Sequence, residues 1–378
     1  MSYRIPFNRP SLVGREYEYI AGAIGGGHAS GDGPFTRRCE AELAEILGCP
    51  RVLLTTSCTH ALEAAALLLD IEPGDEVILP SFTFVSTANA FALRGAKLVF
   101  ADIRPDTLNI DETKLAALCT DRTRAVVVVH YGGVGCEMKA IVQIANFRGI
   151  AVIEDNAHGL LGTYENQMLG TFGRLAGLSF HETKNFSCGE GGALVINDPE
   201  LISRAEIIRD KGADRARFFR GEVDKYTWQG LGSSYCMSDL LAAFLLAQLE
   251  GRQHIQSSRA AIWQRYHEQL AGWADNLGVT RPTIPANCGS SHHLYHLLMP
   301  TPESRAGLIA HLKQQSILAV FHYLPLHLSP MGRRFGGKPG DCPVTEDISD
   351  RLVRLPFYND LSDADQSRVI DAVRTFKG

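Results

Sequence analysis

Short apolar runs alternate with amphipathic stretches along the first half of the chain. The runs have the length of strands and lie at Arg51–Thr55, Glu76–Leu79, Lys97–Ala101, Ala125–Val129 and Ala151–Glu154. The stretches between them place apolar residues at helical spacing and predict helices at Thr36–Leu47, Thr59–Leu69, Thr83–Leu93, Asp111–Leu118 and Met138–Arg148. This alternation predicts an α/β fold.

The predicted strands are apolar at successive positions, which is typical of strands buried on both faces of a mainly parallel sheet. A further apolar strand is expected at Ala193–Ile196, followed by a helix at Pro199–Lys211 and a polar, aromatic-rich loop from Gly212 to Gly232. One long helix is then expected from Ser238 towards Ala261, and the remainder mixes helical and strand patterns. We therefore predict a large α/β domain over residues 1–245 and a smaller α+β domain over residues 246–378.

Charge and composition narrow the classes of function. The 378 residues carry a formal net charge of -5, and the chain has no cluster of Lys and Arg large enough to predict nucleic-acid binding. Its apolar runs are far shorter than the roughly 20 residues of a membrane span. The nine cysteines are odd in number and include no Cys-x-x-Cys, and the first residues lack the apolar core of a signal peptide. These features predict a cytoplasmic protein without a membrane span.

Three polar segments stand where ligands bind in open α/β sheets, just after apolar strands. Thr55–His60 begins a helix and could hold a phosphate, although ordinary helix capping is the alternative. Val152–His158 places a carboxylate at a strand end, where it could keep a ring nitrogen protonated or merely cap a helix. Ser179–Gly192 contains a lysine that could form an imine, although a lone lysine is usually a surface residue. Together the segments supply what pyridoxal phosphate (PLP) needs: an amine, an acid for the pyridine nitrogen and a phosphate cradle.

These motifs resemble those of the DegT/DnrJ/EryC1/StrS family of sugar aminotransferases. The resembling segments are Thr55–Thr59, Pro80–Thr87, Glu154–His158, Ser179–Asn185 and Gly189–Gly192. The resemblance covers nearly the whole chain and implies the PLP-dependent aminotransferase fold, which is aspartate aminotransferase-like (fold type I). It also implies transfer of an amino group from L-glutamate to a keto sugar carried by a nucleotide.

The resemblance implies a role for each matching residue. Lys184 is the Schiff-base lysine and the general acid/base, and a branch of the family that acts as dehydratases has histidine there. Asp155 pairs with the protonated pyridine nitrogen, and His158 lies nearby in support. Phe84 stacks on the ring, although an ordinary core aromatic is the alternative for this residue.

The same resemblance implies the phosphate contacts. Cys58 and Thr59 hold the phosphate in part through backbone N–H groups, and Ser179 holds it through its hydroxyl. Many relatives add an asparagine from the neighbouring subunit of a homodimer with shared active sites. Ser234 stands at that position here, and Cys236 stands where an arginine is common.

Three further segments resemble more narrowly the branch that aminates dTDP-4-keto-6-deoxyglucose in enterobacterial common antigen synthesis. They are Ile5–Asn8, Gly31–Arg38 and Asp224–Trp228. This implies amination at C4 to give dTDP-4-amino-4,6-dideoxygalactose. A 3-keto sugar aminotransferase of the same family and a non-catalytic PLP-binding regulatory protein stay open as alternatives.

Two rival interpretations have less support in the residues. The His-rich pieces Ser291–His296 and Phe321–His327 could indicate a metal, but no acidic or cysteine partner completes either set, so we expect no metal site. Packing or substrate contact is the favoured role, with Tyr323 and His327 as candidate sugar contacts. A nicotinamide-dependent oxidoreductase is disfavoured because no Gly-x-Gly-x-x-Gly follows the first strand.

Overall fold

Strands and helices alternate in the structure, a computed structural model that describes residues 3–378. The strands are β1 (Arg51–Thr55), β2 (Glu76–Pro80), β3 (Lys97–Ala101), β4 (Thr123–Val129), β5 (Ala151–Asp155), β6 (Thr163–Tyr164), β7 (Gln167–Met168), β8 (Leu175–Ser179), β9 (Gly192–Ile196), β10 (Cys288–Gly289), β11 (His296–Leu298) and β12 (Leu352–Arg354). The helices are α1 (Glu16–Gly25), α2 (Pro34–Leu47), α3 (Cys58–Leu68), α4 (Val85–Ala92), α5 (Glu112–Leu118), α6 (Met138–Arg148), α7 (Ile202–Arg209), α8 (Arg215–Phe219), α9 (Asp239–Glu250), α10 (Arg252–Gln269), α11 (Ala271–Leu277), α12 (Pro302–Gln314), α13 (Pro330–Arg334), α14 (Pro343–Arg351) and α15 (Asp363–Thr375). None of these helices combines the length and the apolar character needed to cross a bilayer.

The central sheet has seven strands in the order β1-β9-β8-β5-β4-β2-β3. Strand β9 is antiparallel to both of its neighbours, β1 and β8, whereas the strands from β8 to β3 are parallel to one another. Two reversals restore the direction, so β1 also runs parallel to β8. The carboxyl ends of β1, β8, β5, β4 and β2 therefore meet at one edge of the sheet.

A second hydrophobic core lies outside the central sheet. It is built mainly from α10, α11, α12, α15 and the pair β11–β12, and Ile5 from the start of the chain joins it. Ile5 is held there by backbone hydrogen bonds, from its N–H to Ser316 and from Leu318 to its carbonyl. The predicted boundary between residues 245 and 246 falls inside α9, and the division into two domains stays a prediction.

Several elements differ from those that the sequence pattern predicts, and they include β8 and α8, neither of which was expected. Helix α1 lies in the N-terminal region for which no helix was expected, and the helix expected at Pro199–Lys211 is a 3-10 turn at Pro199–Leu201 followed by α7. The long helix expected from Ser238 is broken between α9 and α10 at Gly251. A Cβ atom on Gly251 would lie 2.9 Å from the Val13 side chain, so the break coincides with close packing of a distant segment.

Two helices begin at carboxylates supplied from elsewhere in the chain. Asp239 accepts hydrogen bonds from the N–H groups of Phe35 and Thr36 at the start of α2, at 3.3 and 2.7 Å. Gly33 is required there, because a Cβ atom would lie 2.2 Å from the Asp239 carboxyl carbon. Asp102, just after β3, likewise accepts from the N–H of Thr345 at 2.9 Å at the start of α14. These carboxylates satisfy helix N–H groups that have no partner within the helix, and they join distant segments.

A fully buried hydrogen bond between His130 and Glu154 supports the sheet edge next to Asp155. His130, after β4, contacts the Glu154 carboxylate at 2.8 Å, and neither side chain is exposed. Glu154 also accepts three backbone hydrogen bonds at 2.7 Å, from Gly170, Phe172 and Gly173. The His130 Nδ1 atom accepts from the N–H of Cys136, so the proton lies on Nε2 and is donated to Glu154. The pair therefore ties two loops to the end of β5.

We expect Glu154→Gln to destabilise the protein by about 3 kcal/mol, because the amide presents an N–H group to donors and leaves buried groups without a partner. The free energy of unfolding in urea measures this effect. Glu18→Gln is the matched control, since Glu18 forms an exposed ion pair with Arg15, and its stability should hardly change. Equal stability of the two variants would contradict a structural role for the buried pair.

Candidate active site

A cavity of about 770 Å³ lies at the edge of the sheet where the parallel strands end. Most of the site residues expected from the sequence line it, namely Cys58, Thr59, Phe84, Asp155, His158, Ser179, Lys184 and Tyr323. The C-terminal part of the chain supplies another part of the lining through His293, residues 320–323 and Arg354. Residues far apart in the sequence thus meet around one cavity.

Lys184 lies in the loop between β8 and β9, and its backbone N–H donates to the His181 carbonyl at 2.9 Å. Burial lowers the pKa of its amine to about 8, although the negative charge of Asp155 acts in the opposite direction. An amine with this pKa is neutral in about a tenth of the molecules at pH 7, against roughly one in three thousand for an ordinary lysine. Lys184 can therefore act as a nucleophile and as a base near neutral pH.

Asp155 is the last residue of β5, and both oxygens of its buried carboxylate are held. The Thr87 hydroxyl donates to Oδ2 at 2.6 Å, and the backbone N–H of Ala157 donates to Oδ1 at 3.2 Å. Because Thr87 uses its proton on Asp155, the Thr83 hydroxyl 2.8 Å away donates to Thr87. This chain of hydroxyl groups fixes the orientation of a carboxylate that lines the cavity.

The start of α3 forms an anion cradle. Ser57 is the N-cap residue, and its hydroxyl accepts from the N–H of His60 at 3.1 Å. The N–H groups of Cys58 and Thr59 precede that contact and have no partner within the helix. The Thr59 hydroxyl donates to Ser86 at 2.8 Å, and Ser179 at the end of β8 lines the same cavity. Exposed N–H groups and the helix dipole favour an anion here.

Gly192 allows this cradle to pack against the sheet. It is the first residue of β9 and pairs with Thr55 on one side and Ser179 on the other. A Cβ atom at this position would lie 2.2 Å from the Ser57 carbonyl carbon and 2.3 Å from the Cys58 nitrogen. Any other residue would force the start of α3 away from β9.

Uncharged imidazoles form part of the lining. The rings of His158 and His293 stack with their centroids 4.1 Å apart, and burial lowers the pKa of both well below the ordinary value. Burial has the same effect on the pKa of His322, whose Nδ1 lies 3.0 Å from the Tyr131 hydroxyl. The three rings are therefore neutral at pH 7. His158 accepts from the N–H of Gly132 at Nδ1, which leaves its Nε2 as a donor.

Phe84 and Tyr323 are the aromatic residues that sequence analysis proposed for the site. Phe84 precedes α4 and is 58% exposed, so it is not the core aromatic of the alternative interpretation. Its ring centroid lies 6.4 Å from that of Tyr323. Both rings line the cavity, where they can contact a flat ligand.

Two proposed residues do not line this cavity. Ser234 is exposed and forms an isolated bridge with Asp210, so a role in binding requires a second subunit. His327 is fully buried, and its ring nitrogens lie 2.6 Å from the Ser81 hydroxyl and 3.0 Å from Glu346. With both nitrogens occupied inside the protein, this placement favours packing over the sugar contact for His327.

Sequence analysis missed Arg354, which lines the cavity from the end of β12. The signal was an arginine within the apolar run Leu352–Leu355, where a charge needs an explanation. His293 and His322 were placed within His-rich pieces but were not assigned to the site. Residues 3–378 contain no group of three or more His, Cys, Asp or Glu side chains arranged to hold a metal ion.

Comparison with known proteins finds relatives over nearly the whole chain. The spore coat polysaccharide biosynthesis protein SpsC of Bacillus subtilis (strain 168) is 36% identical, over 98% of this chain and 96% of the relative. The solved aminotransferase TlmJ from Streptoalloteichus hindustanus is 32% identical with a TM-score of 0.90 and 98% of both chains covered. Spr1654 from Streptococcus pneumoniae, assigned as a sugar aminotransferase, is solved in apo, PLP and PMP forms. Its apo form has a TM-score of 0.92 at 26% identity and covers 99% of this chain and 98% of that one.

These relatives confirm the predicted fold class, an α/β aminotransferase fold with a mainly parallel central sheet. The family model for DegT/DnrJ/EryC1/StrS aminotransferases matches residues 10–374. The resemblance first seen in short motifs therefore extends over nearly the whole chain. The chain belongs to the DegT/DnrJ/EryC1/StrS aminotransferase family.

Proposed function

We propose that this chain is a PLP-dependent aminotransferase that transfers an amino group from L-glutamate to a keto sugar carried by a nucleotide. The observation that carries the proposal is that one cavity is lined by an amine of lowered pKa, a fixed carboxylate and a helix start suited to a phosphate. Membership of the aminotransferase family and the PLP and PMP forms of Spr1654 support it.

The lining residues match the chemical groups of PLP. The N–H groups of Cys58 and Thr59, together with the Ser179 hydroxyl, would hold the phosphate at the start of α3. Asp155 would accept a hydrogen bond from the protonated pyridine nitrogen, and Thr87 would keep its carboxylate in place. Phe84 would stack on the ring, with His158 nearby as a neutral donor. When bound, PLP supplies an electron sink that stabilises negative charge on the reacting carbon of the substrate.

Lys184 would have two tasks in this cavity. Its amine would hold the cofactor covalently, and, after the substrate amine has taken its place, it would move the proton at the reacting carbon. Both tasks need a neutral amine for part of the time. Burial provides this by lowering the pKa of Lys184 to about 8, near the pH at which proton transfer in both directions is efficient.

We propose that the acceptor is dTDP-4-keto-6-deoxyglucose, aminated at C4, and that the product is dTDP-4-amino-4,6-dideoxygalactose. The amino sugar would then be incorporated into enterobacterial common antigen or a related polysaccharide. Support comes from the narrower resemblance at Ile5–Asn8, Gly31–Arg38 and Asp224–Trp228, and Phe7 and Asn8 of the first segment line the cavity. Tyr323 is the sugar contact proposed there. Product analysis with 3-keto and 4-keto sugars separates this acceptor from the 3-keto alternative.

We expect Lys184→Ala to abolish amino transfer, because none of the other described residues lining the cavity carries an amine. Formation of the amino sugar by the purified holoenzyme measures turnover, and the visible absorption band of PLP reports its reaction with glutamate. Lys139→Ala, at an exposed lysine outside the cavity, is the control and should keep wild-type activity. Amino sugar formation by Lys184→Ala at more than a small fraction of the wild-type rate would refute the proposal. A wild-type protein that shows the band but makes no amino sugar would indicate the regulatory alternative.

We expect Gly192→Ala to weaken PLP binding at least about tenfold, because the new methyl group displaces the Ser57–Cys58 backbone that would hold the phosphate. Spectroscopic titration of the apoprotein with PLP measures this affinity. Gly272→Ala is the matched control, since a Cβ atom there meets nothing within 4 Å and a helix favours alanine over glycine. Wild-type affinity in folded Gly192→Ala would show that the phosphate lies elsewhere.

We also propose a homodimer with shared active sites, in which Ser234 of one subunit reaches the phosphate held by the other. We expect Ser234→Ala to lower PLP affinity by about 1 kcal/mol, roughly fivefold, while dimerisation survives the loss of one polar contact. Sedimentation and PLP titration measure the two properties, with Ser233→Ala as the control on the adjacent exposed serine. A fully active monomer, or equal PLP affinity in the two variants, would contradict the shared site.

A further inference from the structure

Arg354 occupies the cavity without an acidic partner. It ends β12, and its Nε and Nη2 atoms donate to the backbone carbonyl of Phe321 at 3.3 and 3.1 Å. Among the ion pairs within residues 3–378, none includes Arg354, and no hydrogen bond in that part of the chain uses its Nη1 atom. A guanidinium has five N–H donors, so one carbonyl leaves most of them available for an anion.

The surroundings hold this guanidinium in place before any ligand arrives. Its central carbon lies 4.6 Å from the centroid of the Phe7 ring, a distance typical of a cation–π contact. The backbone of Phe7 is itself anchored, because its carbonyl accepts from the N–H of Phe357 at 3.0 Å. The Phe7 ring on one face and the Phe321 carbonyl at one edge fix the orientation of the guanidinium plane. Little side-chain entropy is therefore lost when an anion binds.

Arg354 is the residue of the described cavity lining whose positive charge does not depend on the pH or on the cofactor. Among the described residues of the lining, Lys184 is the other lysine or arginine, and its amine is committed to the cofactor in the proposed function. Burial keeps the lining imidazoles of His158, His293 and His322 neutral by lowering their pKa values. An anionic reactant in the cavity would therefore find one permanent positive charge among these residues.

We propose that Arg354 binds the oxyanion group of the reactant that occupies the cavity. The inference rests on the proposed function, in which the amino donor and the acceptor enter the same cavity in turn. The donor brings a carboxylate, and the acceptor brings the diphosphate of its nucleotide, so the same N–H donors can serve either group. A planar guanidinium suits both ligands through paired hydrogen bonds, which a lysine in the same position could not make.

The test compares Arg354→Gln with wild type in the holoenzyme, using glutarate for the donor and dTDP for the acceptor as probes. Loss of a charged hydrogen bond should weaken binding of the relevant probe by roughly 10- to 100-fold, measured by calorimetry. A loss for glutarate alone assigns the carboxylate as the ligand, a loss for dTDP alone assigns the diphosphate, and a loss for both assigns a shared contact. Affinities within twofold of wild type for both probes would overturn the proposal.

Arg374→Gln is the matched control. Arg374 is also an arginine whose Nε atom donates to a backbone carbonyl, that of Gln269 at 2.9 Å, but it is exposed and does not line the cavity. It should bind both probes as wild type does. Arg354→Lys keeps the charge with a single ammonium group, and we expect it to recover part of the lost affinity.

A measurement on the wild-type protein keeps the test independent of how the variants fold. Glutaramide has nearly the shape of glutarate without its charges, and dTDP can be compared with thymidine in the same way. A charged probe that binds at least tenfold more tightly than its neutral counterpart supports the anion contact. Equal binding within each pair would overturn it. The visible band of PLP in wild type and in Arg354→Gln reports the proposed function separately, because Arg354 is not among the residues proposed to hold the cofactor.

Discussion

The shared direction of β1, β8, β5, β4 and β2 is the constraint on which the candidate site depends. Each of these strands ends at the same edge of the sheet, and the loops that follow them carry Cys58, Lys184 and Phe84 to one cavity. Strand β9 runs in the opposite direction and begins at that edge, between β1 and β8. The residue that opens β9 must then lie against the start of α3, which explains why a glycine without a Cβ atom stands at position 192.

The sequence predicted the part of the site that depends on this constraint. The rule that ligands bind at the carboxyl ends of strands selected the segments Thr55–His60, Val152–His158 and Ser179–Gly192. The roles of Cys58, Asp155 and Lys184 within them are those that the family resemblance implies. The family resemblance then added Phe84 and Ser179, and the structure places all five at the cavity. The predicted strands agree with the observed ones to within one or two residues where a strand was predicted. That accuracy is enough to show which polar residues follow the end of a strand.

The rest of the site depends on contacts between distant segments, which no local pattern records. Arg354 reaches the cavity because β12 pairs with β11 and the chain start places Phe7 beneath its guanidinium. His327 lies in the same His-rich piece as Tyr323, yet Ser81 and Glu346 occupy its ring nitrogens. The break at Gly251 has the same origin, because Val13 packs against it from more than two hundred residues away.

Burial lowers the pKa of Lys184, His158 and Arg354 in the cavity, and the consequence depends on the ordinary pKa of each group. It makes the imidazole of His158 neutral and lowers the pKa of Lys184 to about 8, which gives the lysine both of its protonation states near neutral pH. Burial also lowers the pKa of Arg354, but a guanidinium starts so high that it stays charged. Where burial keeps a histidine neutral, an arginine can therefore still attract an anion.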